Sequence, residues 1–296
     1  MNKFIIKTIQ LSIIPALVLF LLGLRQEQDR IVTFKRQLFE RHKGSIQCLI
    51  TGTSHVLNGI NPTLLPMKAL NIAEESKAVV IDIEIIEKNL NQLPHLKYVI
   101  IPVDYFTFYF TGLHEEAASK HYHHWNLKDG FIKSYNFRRY HAFTCGFLVN
   151  EYNTIDQYDT LMGYRAEFSD LSKVDPDYRL HKYQRKVINW NRYWIDTSST
   201  RQIYKRLETF ITILQKRRIQ TILVTMPVCK QFYTYLDPKL LNRNNQLIDS
   251  IIDCTNAKYI NLQNNNLLAA DSLFFDIDHL NDKGATIATG IIKDCL

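Results

Sequence analysis

The sequence predicts an α/β fold: a parallel sheet with helices over both faces. Three observations lead there. Several short runs are apolar throughout instead of alternating, as strands buried on both sides are. Segments with apolar residues at helical spacing separate those runs. Only ten glycines and eight prolines stand among 296 residues, too few for a turn-dense β barrel, while 46% hydrophobic content is enough to fill a core.

The elements are expected in the following order. Ser45 to Thr51 reads as the first strand, Ala69 to Ala73 as the second and Tyr98 to Val103 as the third; Thr221 to Met226 is the fourth and Tyr259 to Leu262 the fifth. Between the second and third, Lys77 to Leu93 carries Val80, Ile83, Ile86, Leu90 and Leu93 at helical spacing, and Pro94 ends it. Ser199 to Arg217, Pro238 to Asn256 and the stretch from Asp282 to the C-terminus read as further helices. The pattern breaks from about Phe106 to Asp196, where Tyr, His, Trp and Arg crowd together. Such a stretch is too long for a simple loop and reads as an insertion over the carboxyl ends of the strands, where open α/β sheets place their sites.

At the N-terminus, Thr8 to Leu24 is uncharged and mostly apolar, with Lys3 and Lys7 ahead of it. That is just long enough to cross a bilayer core, and Leu22-Gly23-Leu24-Arg25 offers no small-residue cleavage site, so residues 1–25 are expected to be an uncleaved membrane anchor. Residues 26–44 are polar and charged and read as a helical stalk, with the folded domain spanning 45–296. Arg25, Arg30, Lys35, Arg36, Arg41 and Lys43 follow the anchor, and by the positive-inside rule they would hold that side in the cytoplasm.

The net charge of +7 is spread along the chain, and there is no zinc-finger spacing, RNA-binding aromatic signature or Walker loop, so nucleic acid is not an expected partner. The five cysteines (Cys48, Cys145, Cys229, Cys254, Cys295) are far apart and read as core or incidental thiols. His121, His123, His124 and Trp125 resemble a metal cluster, but no acid stands at ligand spacing, and they read as surface or substrate-facing. No metal and no cofactor is expected. Aromatics of the insertion read chiefly as core, with stacking on sugar rings as the alternative.

Two stretches carry chemistry. In "CLITGTSHVLNGINP" a buried strand stops at Gly52-Thr53-Ser54, placing a hydroxyl at the active edge of the sheet. Alone, Ser54 is equally a helix cap; as a nucleophile it needs a base and an acid. In "LFFDIDHLNDKGA", Asp276 precedes His279 by three residues, a spacing that can turn the carboxylate back onto one ring nitrogen and leave the other for a serine. Asp278 is a second-choice acid, expected to point elsewhere. His55 is expected to face away from Ser54 on an extended backbone, as a packing or supporting residue.

Together, G-T-S after the first strand and D-x-x-H in the last loop resemble the SGNH, or GDSL-like, hydrolase superfamily, over roughly residues 45 to 105 and 197 to 296. The resemblance implies a flavodoxin-like three-layer α/β/α fold, with Ser54 as nucleophile, His279 as base then acid, and Asp276 as orienting carboxylate. "GTSHVLNGINP", "NIA", "DHLNDKGA" and the apolar N-terminus look most like its cell-envelope acyl-transfer branch, which includes teichoic-acid D-alanyl transfer and polysaccharide O-acetylation proteins. The family usually has Asp at the position of Thr53, a glycine after the second strand, and G-x-N-D in place of Pro102-Val103-Asp104-Tyr105. The oxyanion and substrate environment would therefore fall to His55, Asn71, Ser76, Asp104 or Tyr105, and an ionised Asp104 cannot donate.

The expected function is serine-dependent acyl transfer or ester hydrolysis, with acetyl as the group, on a cell-surface glycan; that reading puts the catalytic domain outside the cytoplasm, against the side that the flanking charges favour. A membrane-bound acyltransferase is an expected partner beside the glycan or acyl donor. The alternative is a non-catalytic envelope accessory that binds a polysaccharide or a membrane partner.

Overall fold

A computed structural model describes residues 13, 30–110, 121, 124–127, 161–193 and 197–296. Its elements, in chain order, are α1 (Arg30–His42), β1 (Cys48–Ile50), α2 (Ser54–Gly59), β2 (Ala69–Asn71), α3 (Val79–Asn89), β3 (Tyr98–Pro102), α4 (Pro176–Tyr193), α5 (Thr197–Lys216), β4 (Gln220–Thr225), α6 (Lys230–Tyr233), α7 (Pro238–Cys254), β5 (Lys258–Asn261) and α8 (Asp282–Asp294). All five strands pair in parallel, in the order β2-β1-β3-β4-β5. Each falls within three residues of its expected span at either end, the widest difference being β1, which starts at Cys48 and not Ser45.

Every residue of β1 is buried, as are Val99 to Pro102 of β3 and Thr221 to Val224 of β4, so the central strands are covered on both sides. The helices fall into two packed groups, with α3 against α5 and α5 against α7 in one, and α2 against α8 in the other. From β1 the chain moves outward to β2, then returns to place β3 on the other side of β1. That reversal opens a crevice at the carboxyl ends of β1 and β3, the place where open α/β sheets hold ligands.

Helix ends follow local chemistry. Asp237 caps α7 by accepting from the Lys239 N–H, with Pro238 in the first turn, and Asn281 caps α8 by accepting from the Gly284 N–H.

The stretch read as a polar stalk is a helix that packs into the domain. Val32, Phe34, Lys35, Leu38 and Phe39 of α1 are all buried, at the spacing of one helical face. The Lys35 side-chain nitrogen donates to the carbonyls of Asn71 and Gly163, and Phe39 meets Trp125 edge-on at 5.5 Å. A buried lysine in the stripe made it look solvated in sequence. The expected anchor lies outside the described residues, save Ile13; among the described residues, no helix is long and apolar enough to cross a membrane.

The described end of the insertion runs between the two loops that form the site. The Asn71 N–H donates to the Met162 carbonyl, and the Arg165 N–H donates to Leu57 in α2. Tyr164 donates to the Asp282 carboxylate, and the Glu167 carbonyl accepts from the Asp282 N–H at the start of α8. Gly163 is required there, with φ of +89° and a position where a Cβ would lie 2.0 Å from the Asn71 carbonyl oxygen.

Candidate active site

Glycine stands two places before the serine because of the turn that follows β1. Gly52 has φ of +129°, and a Cβ on it would lie 2.2 Å from Pro102 Cγ at the end of β3. Glycine lets the chain turn sharply against the neighbouring strand and start α2 at Ser54. Thr53 is the N-cap and makes no side-chain capping bond. The serine therefore sits on the first turn of a buried helix, partly exposed, at the switch point of the sheet.

The second half of the site is a tight loop before α8. Phe274 and Leu280 form an antiparallel bridge, and the Phe275 N–H donates to the His279 carbonyl. Inside that loop the Asp276 Oδ1 accepts from the backbone N–H groups of Asp278 (3.0 Å) and His279 (2.9 Å). The same carboxylate lies 2.8 Å (Oδ1) and 3.0 Å (Oδ2) from His279 Nδ1. Asn281 braces the loop by donating to Ser169, Ser272 and Phe274 carbonyls.

These halves meet. His279 Nε2 lies 2.8 Å from Ser54 Oγ, across 225 residues of chain. An ionised carboxylate accepts only, so Nδ1 carries the proton facing Asp276; in the neutral ring, Nε2 is then bare and accepts the serine hydroxyl's hydrogen. Phe275 stacks on the imidazole with centroids 5.3 Å apart. Burial lowers the proton affinity of His279, but the charges of Asp278 and Asp276 and their hydrogen bonds outweigh it and raise its pKa to about 9.

Asp278 points inward, contrary to expectation. Its Oδ1 lies 3.2 Å from His279 Nδ1, and its Oδ2 lies 3.3 Å from His55 Nε2 and 3.5 Å from the Tyr105 hydroxyl. His55 faces the site for a related reason: the chain at Ser54 is helical, so successive side chains are offset by about 100° and not opposed. Its ring lies 5.1 Å from that of His279, edge to face. On its other side, His55 Nδ1 is 3.1 Å from Asp104 Oδ2.

The remaining candidates lie as follows. Asn71 donates both amide hydrogens to the carbonyls of Val56 and Ile60, and its oxygen accepts from the Ala73 N–H. With that capacity used, it anchors α2 to the end of β2 and has no donor left for an oxyanion. Asp104 accepts from the Met226 N–H at 2.8 Å and faces His55. Tyr105 is buried with its hydroxyl toward Asp278, where burial and that carboxylate push its pKa well up. Ser76 is exposed, at φ of +56°, on the loop after β2.

The expected histidine cluster is buried, not on the surface. His121 lies 3.2 Å from Glu74, His124 Nδ1 is 3.1 Å from the Thr33 hydroxyl, and Trp125 donates to Glu74; His123 lies outside the described residues. Among the described residues, His55, Asp278 and His279 are the group whose ligand atoms come within 4.8 Å of one another. The nitrogens of His279 are already hydrogen-bonded to Asp276 and Ser54, and His55 Nε2 to Asp278, so a cation there would have to break the serine–imidazole contact.

Sequence reading missed the buried pair Lys77 and Asp82, 2.9 Å apart, which with Gly52, Thr53, Phe106 and Phe110 lines a small cleft beside the serine turn. It also missed Arg165, which donates to Asn58 in α2 and to Glu75. Neither carries a local motif. No protein-family model matches the chain, and no curated protein matches it.

Proposed function

We propose that the protein is a serine esterase or O-acyltransferase that works through an acyl-enzyme. The observation that carries this reading is the 2.8 Å contact between His279 Nε2 and Ser54 Oγ, with Asp276 on the far ring nitrogen. The SGNH-like resemblance agrees with it, and the strand order with its two helix groups fits a flavodoxin-like three-layer architecture.

In this mechanism Ser54 Oγ attacks the ester carbonyl carbon while its proton passes to His279 Nε2. Asp276 holds the ring and stabilises the imidazolium. Collapse of the tetrahedral intermediate breaks the bond to the leaving alkoxide, which takes the proton from Nε2 and departs as an alcohol. Water or a sugar hydroxyl then gives its proton to His279 and attacks the acyl-serine, releasing acid or a new ester and restoring Ser54. The N–H of Ser54 itself, in the first turn of α2, is the proposed donor to the oxyanion.

Acetyl on a cell-surface glycan is the proposed cargo. An N-terminal anchor would keep the domain at the outer face of the membrane, beside a membrane-bound acyltransferase. A non-catalytic accessory role is the rival, and the engagement of Asn71, Asp104 and Tyr105 by other groups favours it, because none is left to serve the oxyanion.

Fluorophosphonate labelling separates the two. The wild-type chain is expected to take one equivalent on Ser54, identified by peptide mass, and Ser54→Ala none. Absence of label from a folded wild-type protein at pH 9 would rule out the enzyme.

A further inference from the structure

We propose that Asp278 and His55 are positioning residues: a buried acid–imidazole–acid chain, Asp104–His55–Asp278, ends on His279 and holds its imidazole in the protonated form. This rests on reading His279 as the base of Ser54.

The geometry assigns the protons. The two nitrogens of His55 face carboxylate oxygens at 3.1 Å (Asp104 Oδ2) and 3.3 Å (Asp278 Oδ2). Asp104 accepts from the Met226 N–H through its other oxygen, Oδ1, and Asp278 Oδ2 also faces the Tyr105 hydroxyl; as carboxylates, both present acceptor oxygens to His55. A neutral imidazole has one bare nitrogen, which would leave a lone pair against a lone pair at one end. With both nitrogens protonated, the contact with Asp278 becomes a charge-assisted hydrogen bond and the contact with Asp104 a buried ion pair. His55, Asp104 and Asp278 are each almost fully buried, so little water screens them.

A buried imidazolium lets Asp278 remain an anion, and its second oxygen reaches His279 Nδ1 at 3.2 Å. That nitrogen is also met by Asp276 at 2.8 and 3.0 Å. Two carboxylates thus stabilise the imidazolium where a simple triad has one. Among the described residues, the groups facing the chain from other elements include Ser54 on α2, Asp104 and Tyr105 after β3, and the Cys229 thiol after β4; Asp276 faces it from its own loop. Removing the charge of Asp278 should therefore weaken the hold of His279 on its proton.

The test is a titration of the histidine ring nitrogens by NMR in the full chain, wild type and Asp278→Asn. In wild type, His55 is expected as an imidazolium throughout the titration of His279. In Asp278→Asn the midpoint of His279 should fall by about one pH unit or more, the size of effect a charge at this distance has. An unchanged midpoint in a folded Asp278→Asn overturns the proposal. So does a neutral His55 in the wild type, which decides the matter even if the variant does not fold. Since neither readout uses catalysis, failure of Ser54 to label would leave this result standing, and the two ideas fail separately.

Discussion

At the scale of single residues, the proton on His279 governs the chemistry. A base must be deprotonated to take the serine's proton, and with a pKa of about 9 only about a hundredth of the imidazole is free at neutral pH. The rate of Ser54 labelling by a fluorophosphonate should therefore climb about tenfold per pH unit from pH 6 and level off near pH 9. A profile that levels off near pH 6.5 would mean that the field of the two carboxylates does not reach the ring. Asp276 has two tasks, since it holds the turn through backbone N–H groups as well as the ring nitrogen. That is why the D-x-x-H spacing could be read from sequence: one short loop contains the whole interaction. The part played by Asp278 was not legible, because which way it points depends on His55, 223 residues away.

At the scale of elements, the junction of β1 and α2 is the part most sensitive to substitution. Gly52→Ala puts a methyl into Pro102 in a backbone conformation that side chains rarely adopt. It should destabilise the fold by about 1–3 kcal/mol in urea unfolding, as overpacking does. The labelling rate should also fall, because the turn aims Ser54. Pro102→Ala removes the ring atoms nearest the new methyl, so the double variant should recover part of the stability. Simple additivity of the two changes would show that steric contact is not the cause. The strands and helices themselves could be read closely from apolar runs and helical spacing. Two features could not. The backbone after Gly52 was taken as extended, and only its helical geometry turns His55 toward His279. Asn71 read as a donor to substrate because a polar side chain at a strand end is ambiguous until its partners, the carbonyls of Val56 and Ile60, are placed.

At the scale of the whole molecule, Lys35 joins three parts of the chain: it stands on α1 and donates to the end of β2 and to Gly163 of the insertion. Burial holds its pKa well below the usual lysine range; Glu74 works against that, and Lys77 and Arg165 reinforce it. The linkage has a definite sign. Between its lowered folded pKa and the ordinary value near 10.4, Lys35 binds fewer protons folded than unfolded, so its share of stability grows as pH rises. His279 has the opposite sign: its raised pKa makes a contribution that is complete below about pH 6.5 and is lost as pH rises through about 9. Lys35→Met keeps the apolar stem, removes the donor, and leaves the Asn71 and Gly163 carbonyls without it. The variant should be less stable by about 1–3 kcal/mol, the usual penalty for stranding buried polar groups. Its deficit against wild type, followed by urea midpoints from pH 6 to 10, should widen toward high pH, since only the wild type gains from an easier neutral amine. A deficit that stays constant over that range would mean that Lys35 carries its charge into the fold, held by Glu74, and that α1 is fastened to the domain by an ion pair instead of a neutral hydrogen bond.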